Sequence, residues 1–302
     1  MTEMLAVVVV NYGSVTLLER HAARLRMPEG GIIVVVDCFS TGQERAAVAR
    51  AGEMNGWHVV LLDSNAGFGG GTNAGAAEAL RLGADVIVAL NPDAYIAPDD
   101  LEMLASAARK EPLSLVSPRI LDSSGKVWFR GSDLYLDDGS IAGVARRSER
   151  AGRPRHEWAT GACFAVSAEL WNRIGGFDED YFLYWEDVDL SRRVLDAGAV
   201  LRTIDVTAVH DEGQTHRDAK QGRAKSETYY YFNIRNRLLY VSKHGDAELM
   251  SRWRRETLRV SWSIILQGGR RQLITSLAPW RALVRGMRDG SRLTRSGDRT
   301  LP

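Results

Sequence analysis

The sequence predicts an α/β protein with a mostly parallel sheet, flanking helices and C-terminal amphipathic helices. Three observations carry that expectation. Short apolar runs, LAVVVVN (5–11), GIIVVVD (31–37), WHVVLLD (57–63) and ADVIVALNPD (84–93), alternate with segments of helical spacing. The first run is continuous rather than alternating in polarity, as expected of a strand covered on both faces. The links are short, which implies parallel strands joined by right-handed crossovers.

The elements follow in order. Leu17, Leu18, Ala22 and Leu25 mark a helix after the first strand, and a second helix runs through Glu44 to Met54. The glycine-rich stretch SNAGFGGGTNAG reads as a turn leading into a helix from about Thr72 to Leu82. SLVSPRIL and KVWFRGSDLYL read as strands, with DDGS as the turn between them. Residues 143–157 are polar and Arg-rich and read as a flexible loop. ATGACFAVSAELWNRIGGF reads as a strand and then a helix from near Ser167 to Gly175-Gly176. A helix opening in YFLYWEDVDLSRR ends at Gly198, a strand lies near 199–206, and 224–244 is a long helix. The main domain is expected over residues 1–245 and a basic helical tail over 246–302.

Bulk properties narrow the class. The 302 residues, 45% hydrophobic and 25% charged, fit a soluble globular protein. Cys38 and Cys163 are the only cysteines, which excludes a disulfide framework or a CxxC zinc site and points to a reducing compartment. The N-terminal apolar run, Leu5 to Val10, has no basic leader and reads as a buried strand rather than a signal. No stretch reaches the roughly 18 uncharged apolar residues of a membrane span. The net charge of +1 hides an asymmetry. Residues 251–302 carry twelve arginines and three acids, so the tail is +9 and the body −8.

In parallel sheets ligands sit beyond the carboxyl ends of the strands. That rule selects Asn11-Tyr12-Gly13, Asp37, the Asn65–Gly71 stretch and Asn91-Pro92-Asp93. Gly69 to Ala74 also matches GxGxxA, with Asp93 about 20 residues on, as a dinucleotide fingerprint asks. However, the loop follows the third strand and the acid sits in an NPD turn. Glycines placed for close helix–strand packing account for the same pattern. A carboxylate at the Asp93 tip suits a hard cation, Mg²⁺ or Mn²⁺, although Asn and Asp are also common turn formers. Asp99 and Asp100 fit the first turn of the next helix. His210 reads either as a solvent-facing loop residue or as a second metal ligand.

The acids of YWEDVDL separate by position. Asp189 precedes Arg192 and Arg193 by three and four residues and is expected to pair with them on the helix surface. Glu186 stands at the helix start, where the dipole favours negative charge. Asp187 has no obvious local partner, and the flanking aromatics would raise its pKa toward that of a useful base.

Seven segments in order then resemble one family: VVVVNYG, VVD…S, NAGFGGGTNAG, NPDAYI, ATGACFAVSAELWNRIGGFDEDYFLYWEDVDLSRRV, AVHDEGQT and YYYFNIRNRLLYVSKH. They are similar to the family 2 inverting glycosyltransferases, in particular the rhamnosyltransferase-like branch that makes bacterial cell-surface glycans. The resemblance implies a GT-A fold and transfer of a sugar from a nucleotide-diphospho-sugar, dTDP- or UDP-linked, to a glycan or polyprenyl-diphosphate-linked acceptor. By this likeness Tyr12 and Asp37 hold the nucleobase and ribose. Asn11, Asn65, Gly67, Asn73 and Asn91 join the nucleotide-sugar site. Asp93 is the surviving acid of the DxD motif and His210 a further metal or diphosphate contact. Asp187 is the general base, and Trp158, Gly161, Trp185 and Glu186 border the acceptor. The chain departs from the family's DNGST pattern at Asp37-Cys38-Phe39-Ser40-Thr41, which changes the shape beside Asp37 and bears on donor preference. A nucleotidyltransferase of similar fold, or a degenerate nucleotide-sugar-binding protein, are the alternatives.

In the tail, apolar residues recur at helical spacing (Leu258, Trp262, Ile265; Leu273, Ile274, Leu277; Trp280, Leu283, Val284, Met287) with arginines on the other faces. Trp and Arg on an amphipathic helix suit an anionic membrane surface, here the inner face of the cell membrane. The same helices could instead cap the main domain or form a homodimer face. With no recognised module beside it, basic charge gives no reason to expect nucleic acid.

Overall fold

The computed structural model describes residues 3–210 and 225–294. Its strands are β1 (Leu5–Asn11), β2 (Ile32–Asp37), β3 (His58–Leu61), β4 (Val86–Leu90), β5 (Ala94–Ile96), β6 (Ser114–Asp122), β7 (Val127–Phe129), β8 (Ser132–Tyr135), β9 (Ile141–Gly143), β10 (Arg155–Trp158), β11 (Cys163–Ser167) and β12 (Val200–His210). The helices are α1 (Val15–Arg20), α2 (Gly42–Asn55), α3 (Gly67–Arg81), α4 (Pro98–Lys110), α5 (Ala168–Ile174), α6 (Glu186–Asp196), α7 (Glu227–His244), α8 (Ala247–Arg255), α9 (Thr257–Leu266), α10 (Gln272–Thr275) and α11 (Ala278–Leu293).

The chain divides into two compact units. The first comprises residues 1–132, 157–182 and 186–215. Its nine-stranded sheet has the order β3-β2-β1-β4-β11-β6-β12-β5, with β7 on β6. The β3-β2-β1-β4 half is parallel. Beyond it β11 runs antiparallel to both β4 and β6, and β12 is parallel to β6. Alternate side chains of each strand point to opposite faces. Val7, Val9, Val35 and Val88 therefore pack with Val48 of α2 and Leu101 and Leu104 of α4. Ala6, Val8, Val34 and Ile87 pack with Ala76 of α3, Leu170 of α5 and Leu190 of α6. Covering both faces explains why β1 is buried at every position.

Several elements differ from expectation. Helix α3 begins at Gly67 rather than near Thr72, so the glycine run lies inside it. Glycine is a poor helix former, but here it lets the helix approach the sheet. A Cβ on Gly71 would stand 2.7 Å from Val10 Cγ1, and one on Gly75 2.4 Å from Val8 Cγ1. The glycines thus serve packing and do not form a phosphate loop. The turn between β6 and β7 is DSSG, held by Asp122 Oδ1, which accepts from Ser124 N at 2.9 Å and Lys126 N at 3.0 Å. DDGS lies later, between β8 and β9. Strand β12 runs on to His210 and pairs there with β5, so His210 ends a strand instead of following one.

The second unit comprises residues 133–156, 183–185 and 216–302. The boundary expected at 245 falls inside it, because α7 packs on α9 and α11 through Tyr230, Ile234, Ile265, Ala282 and Leu283. The Arg-rich segment expected to be a flexible loop is tied down. Arg147 makes a two-pronged pair with Asp133, both bonds 2.7 Å, and Arg153 makes another with Asp137. Arg150 and Arg153 both lie over the Tyr135 ring. Arg237 of α7 is buried and donates to the backbone carbonyls of Asp138 and Trp253. Burial pushes its guanidinium down to about 9.

Candidate active site

The tips of β4 and β12 and the start of α6 come together in the first unit. Helix α6 opens on Glu186. At its second residue, Asp187 Oδ2 accepts from Gly161 N at 3.1 Å and Oδ1 from Val188 N at 2.9 Å. Ser191, one turn on, donates from Oγ to the Asp187 carbonyl at 2.7 Å and accepts from Ala159 N at 3.0 Å. That tethers the WATG strand end to the helix. A Cβ on Gly161 would stand 2.8 Å from Phe68 Cε1, so a larger residue there would push the ring aside. Burial pushes the Asp187 carboxyl up to about 6, against the two backbone N–H bonds that pull it down. A carboxylate so poised ionises near neutrality and can take a proton.

The other two acids of the cluster behave differently from expectation. Asp189 is fully buried, so its partnership with Arg193 (2.7 Å) is not a surface pair. Arg193 Nη1 also donates to the carbonyls of Ile174 and Gly176 at the end of α5. Arg192 turns instead to Asp196, at 2.8 Å. Glu186 is no solvated helix-start charge. Burial first, then the Asp187 and Asp189 charges, hold its carboxyl well above the ordinary range. A Cβ on Gly69 would stand 3.8 Å from Glu186 Cβ, so this side chain lies beneath α3. Desolvation here outweighs the helix dipole.

At the tip of β4, Asn91 N donates to the Ala162 carbonyl at 2.9 Å, which joins NPD to the Gly161 segment. His210 Nε2 lies 3.1 Å from Asp93 Oδ1 and 3.3 Å from Asn91 Nδ2. His210 Nδ1 is buried with no hydrogen-bond partner among the described residues. Asp93 and His210 are thus the two side chains here that could hold a hard cation. No group of three or more His, Cys, Asp or Glu side chains suited to a metal occurs among the described residues. Two protein donors are nonetheless enough where phosphates and water complete the shell, the usual arrangement for Mg²⁺.

The tips of the N-terminal strands divide. Tyr12 is half exposed at the end of β1. Asn11 and Asp37 are fully buried and hydrogen-bonded to each other at 3.4 Å, and Asp37 also receives Arg45 Nε at 3.3 Å. Cys38 points inward beneath Gly71, whereas the Phe39 ring lies under the Arg45 guanidinium, 4.6 Å from its carbon. Asn65 Oδ1 accepts from Gly67 N at 2.9 Å, where φ is +74° and a Cβ would overlap the Phe182 carbonyl. Asn73 does not belong with the tips. Its amide donates to the Phe177 carbonyl and Glu179 and accepts from Phe177 N, which commits it to clamping that loop. Trp185 is likewise not an open acceptor wall. It is 5% exposed and packs on Tyr240 and Trp253 in the second unit.

Sequence reasoning missed the aromatic residues of β7. Trp128 stacks on the His210 ring with centroids 4.6 Å apart, and Phe129 lies 5.4 Å from Trp158. Trp158 Nε1 is buried with no hydrogen-bond partner among the described residues. The only signal was the aromatic pair in KVWF. Sequence reasoning also missed Asn236 of α7, which donates to the carbonyls of Leu183 and Tyr184 at 2.9 and 2.7 Å. It pins a segment in which Tyr184 and Trp185 both adopt positive φ, +63° and +75°. Such backbone persists only where its surroundings hold it.

Comparison with known proteins bears on the fold and the family. The chain is 30% identical over 226 residues, 66% of its length and 72% of the relative's, to N-acetylglucosaminyl-diphospho-decaprenol L-rhamnosyltransferase of Mycobacterium tuberculosis. It is 25% identical over 247 residues, 79% of its length and 76% of the relative's, to a low-salt glycan biosynthesis hexosyltransferase of Haloferax volcanii. Its fold resembles a mannosyltransferase of Pyrobaculum calidifontis solved with GDP-Man and Mn²⁺, with a TM-score of 0.53, 16% identity and coverage of 96% of this chain and 84% of that one. Residues 7–182 match the model of glycosyl transferase family 2, and the chain belongs to that family.

Proposed function

We propose that the protein transfers a sugar from a nucleotide-diphospho-sugar to a hydroxyl of a polyprenyl-diphosphate-linked or glycan acceptor, with inversion at the anomeric carbon. One observation carries this reading: a carboxylate raised to about 6, held by Gly161 N–H at the start of α6, in the same unit as Asp93 and His210. Asp187 takes the proton of the acceptor hydroxyl as that oxygen attacks the anomeric carbon. The bond from that carbon to the diphosphate oxygen breaks, and the nucleoside diphosphate leaves with the electron pair. Asp93 and His210 would hold a divalent cation, Mg²⁺ or Mn²⁺, which would supply positive charge to offset that on the leaving diphosphate. Tyr12, at the rim of β1, is the exposed contact for the nucleobase. Trp158 and Gly161 border the acceptor. The rhamnosyltransferase and the Mn²⁺-bound mannosyltransferase support the substrate class and the cation, and the diphospho-decaprenol in the rhamnosyltransferase's name supports a lipid-linked acceptor.

The test incubates the protein with Mn²⁺, a panel of dTDP-, UDP- and GDP-linked sugars and a polyprenyl-diphosphate-linked sugar acceptor. The expected products are nucleoside diphosphate and a glycoside of inverted anomeric configuration. Pyrophosphate as product would identify a nucleotidyltransferase, and donor binding without turnover a degenerate binding protein.

A further inference from the structure

The apolar residues of the C-terminal helices divide into two sets. Ile265, Ala282 and Leu283 face inward against α7. Leu258, Ile274, Leu277, Trp280 and Val284 face solvent, and Ile274 and Leu277 are 87% and 71% exposed. Four of its five members, all but Ile274, are linked by helical spacing and one ring contact. Leu258 lies one turn before Trp262 on α9, and Trp262 packs on Trp280 with ring centroids 5.7 Å apart. Leu277, Trp280 and Val284 share one face of α11 at helical spacing. The Trp280 indole is fixed by donating to the Leu273 carbonyl at 3.0 Å, so its ring stays at the surface. Large solvent-facing apolar groups in a cluster mark a binding surface.

Charge identifies the occupant. Arg270, Arg271, Arg281, Arg285 and Arg288 are exposed around this cluster. Arg281 and Arg285 share one acid, Glu227, and Arg288 shares Asp289 with Arg292. No ion pair among the described residues involves Arg270 or Arg271. The face therefore keeps surplus positive charge beside its apolar centre. Two copies meeting through it would oppose like charges. Anionic lipid satisfies both features, since acyl chains take the apolar side chains and headgroups take the guanidiniums. No described helix is long and apolar enough to cross a membrane, so the contact is interfacial.

We infer that α10 and the outer face of α11 dock the protein on an anionic bilayer, with Ile274, Leu277, Trp280 and Val284 entering the interface. The inference rests on the proposed use of a lipid-linked acceptor only for its biological purpose, and it stands on its own surface. The test uses the full chain with phosphatidylcholine vesicles with and without phosphatidylglycerol, followed by flotation and Trp fluorescence. Binding is expected only with phosphatidylglycerol and should weaken as salt rises. Arg270→Gln and Arg271→Gln should each lower it about five-fold, and Ile274→Asp with Leu277→Asp should abolish it. These variants should bind nucleotide-sugar and release nucleoside diphosphate like the parent. No partition onto anionic vesicles at low salt, or partition unchanged in the variants, overturns the docking surface. So does a dimer in sedimentation velocity that Leu277→Asp dissolves while vesicles go unbound. No vesicle binding by the parent chain, with its turnover intact, refutes docking alone. Absent turnover with vesicle binding intact refutes the transferase reading alone.

Discussion

Replacing Asp187 by Asn tests the proposed base through two opposite effects. Transfer should fall about 10²- to 10⁴-fold, the usual worth of a positioned general base. Stability at neutral pH should rise. The carboxyl is lifted from 3.8 to about 6. The folded protein thus holds this proton more tightly than the unfolded chain does, and ionising it in the fold costs about 3 kcal/mol above pH 6. The side chain keeps some solvent contact, which reduces this to about 2–3 kcal/mol. Asn is neutral and escapes that cost. However, both oxygens accept backbone N–H bonds, from Gly161 and Val188. An amide can satisfy only one of them, a loss of about 1 kcal/mol. A net gain of about 1–2 kcal/mol remains at pH 7. It should shrink as pH falls below 6 and turn into a net loss approaching about 1 kcal/mol below about pH 4, where the carboxyl is mostly protonated in both states and only the lost hydrogen bond remains. Thermal melts at pH 7 and pH 4 read the stability, and nucleoside diphosphate release in the presence of acceptor reads the rate. For the parent protein, a base with pKa about 6 is about nine-tenths ionised at pH 7 and one-tenth at pH 5, so the rate should fall roughly ten-fold over that interval. Undiminished transfer by the Asn variant, or a rate that rises on acidification, would refute the assignment.

Three further outcomes are expected. Asp93→Asn should abolish the rise in melting temperature that Mn²⁺ with nucleoside diphosphate gives the parent; an unchanged rise removes Asp93 from the cation site. Arg193→Ala should destabilise by about 3–5 kcal/mol in chemical denaturation, because Asp189 stays buried without its guanidinium; a loss below about 1 kcal/mol would show that the pair is solvated. Gly75→Val should cost several kcal/mol or prevent folding, since even a Cβ would meet Val8 Cγ1 at 2.4 Å; a soluble variant of parental stability would contradict the close packing of α3 on β1.

The sequence was informative wherever a local rule sufficed. The continuous run of β1 and the apolar runs of β2 and β4 marked the parallel half of the sheet, because a strand covered on both faces has no polar side to show. Ser167 and Gly175, the cap residues, marked the limits of α5 as α5 is found. Asp187 stood out because no arginine lies three or four residues away to pair with it. Local rules failed where a residue's partner is distant in the chain. Asn73 is assigned to the nucleotide-sugar site by family likeness, whereas its amide holds a loop some 104 residues on. The glycine run reads as a turn until Val8 and Val10 are seen beneath it. Asp189 reads as half of a surface pair and Glu186 as a helix-start acid, since burial is a property of the packed molecule and not of three adjacent letters. Likewise the tail's periodicity announced amphipathic helices but could not separate Ile265 and Leu283, which face α7, from Ile274 and Leu277, which face solvent.

The sequence alone therefore determined the strand–helix alternation and the charge asymmetry, and it singled out Asp187 as the proposed base by its lack of a local partner. The tertiary structure alone decided that Asp187 is poised near neutrality, that His210 meets Asp93 beneath Trp128, and which face of the tail stays open. Those properties arise from desolvation and contact between segments that only folding brings together.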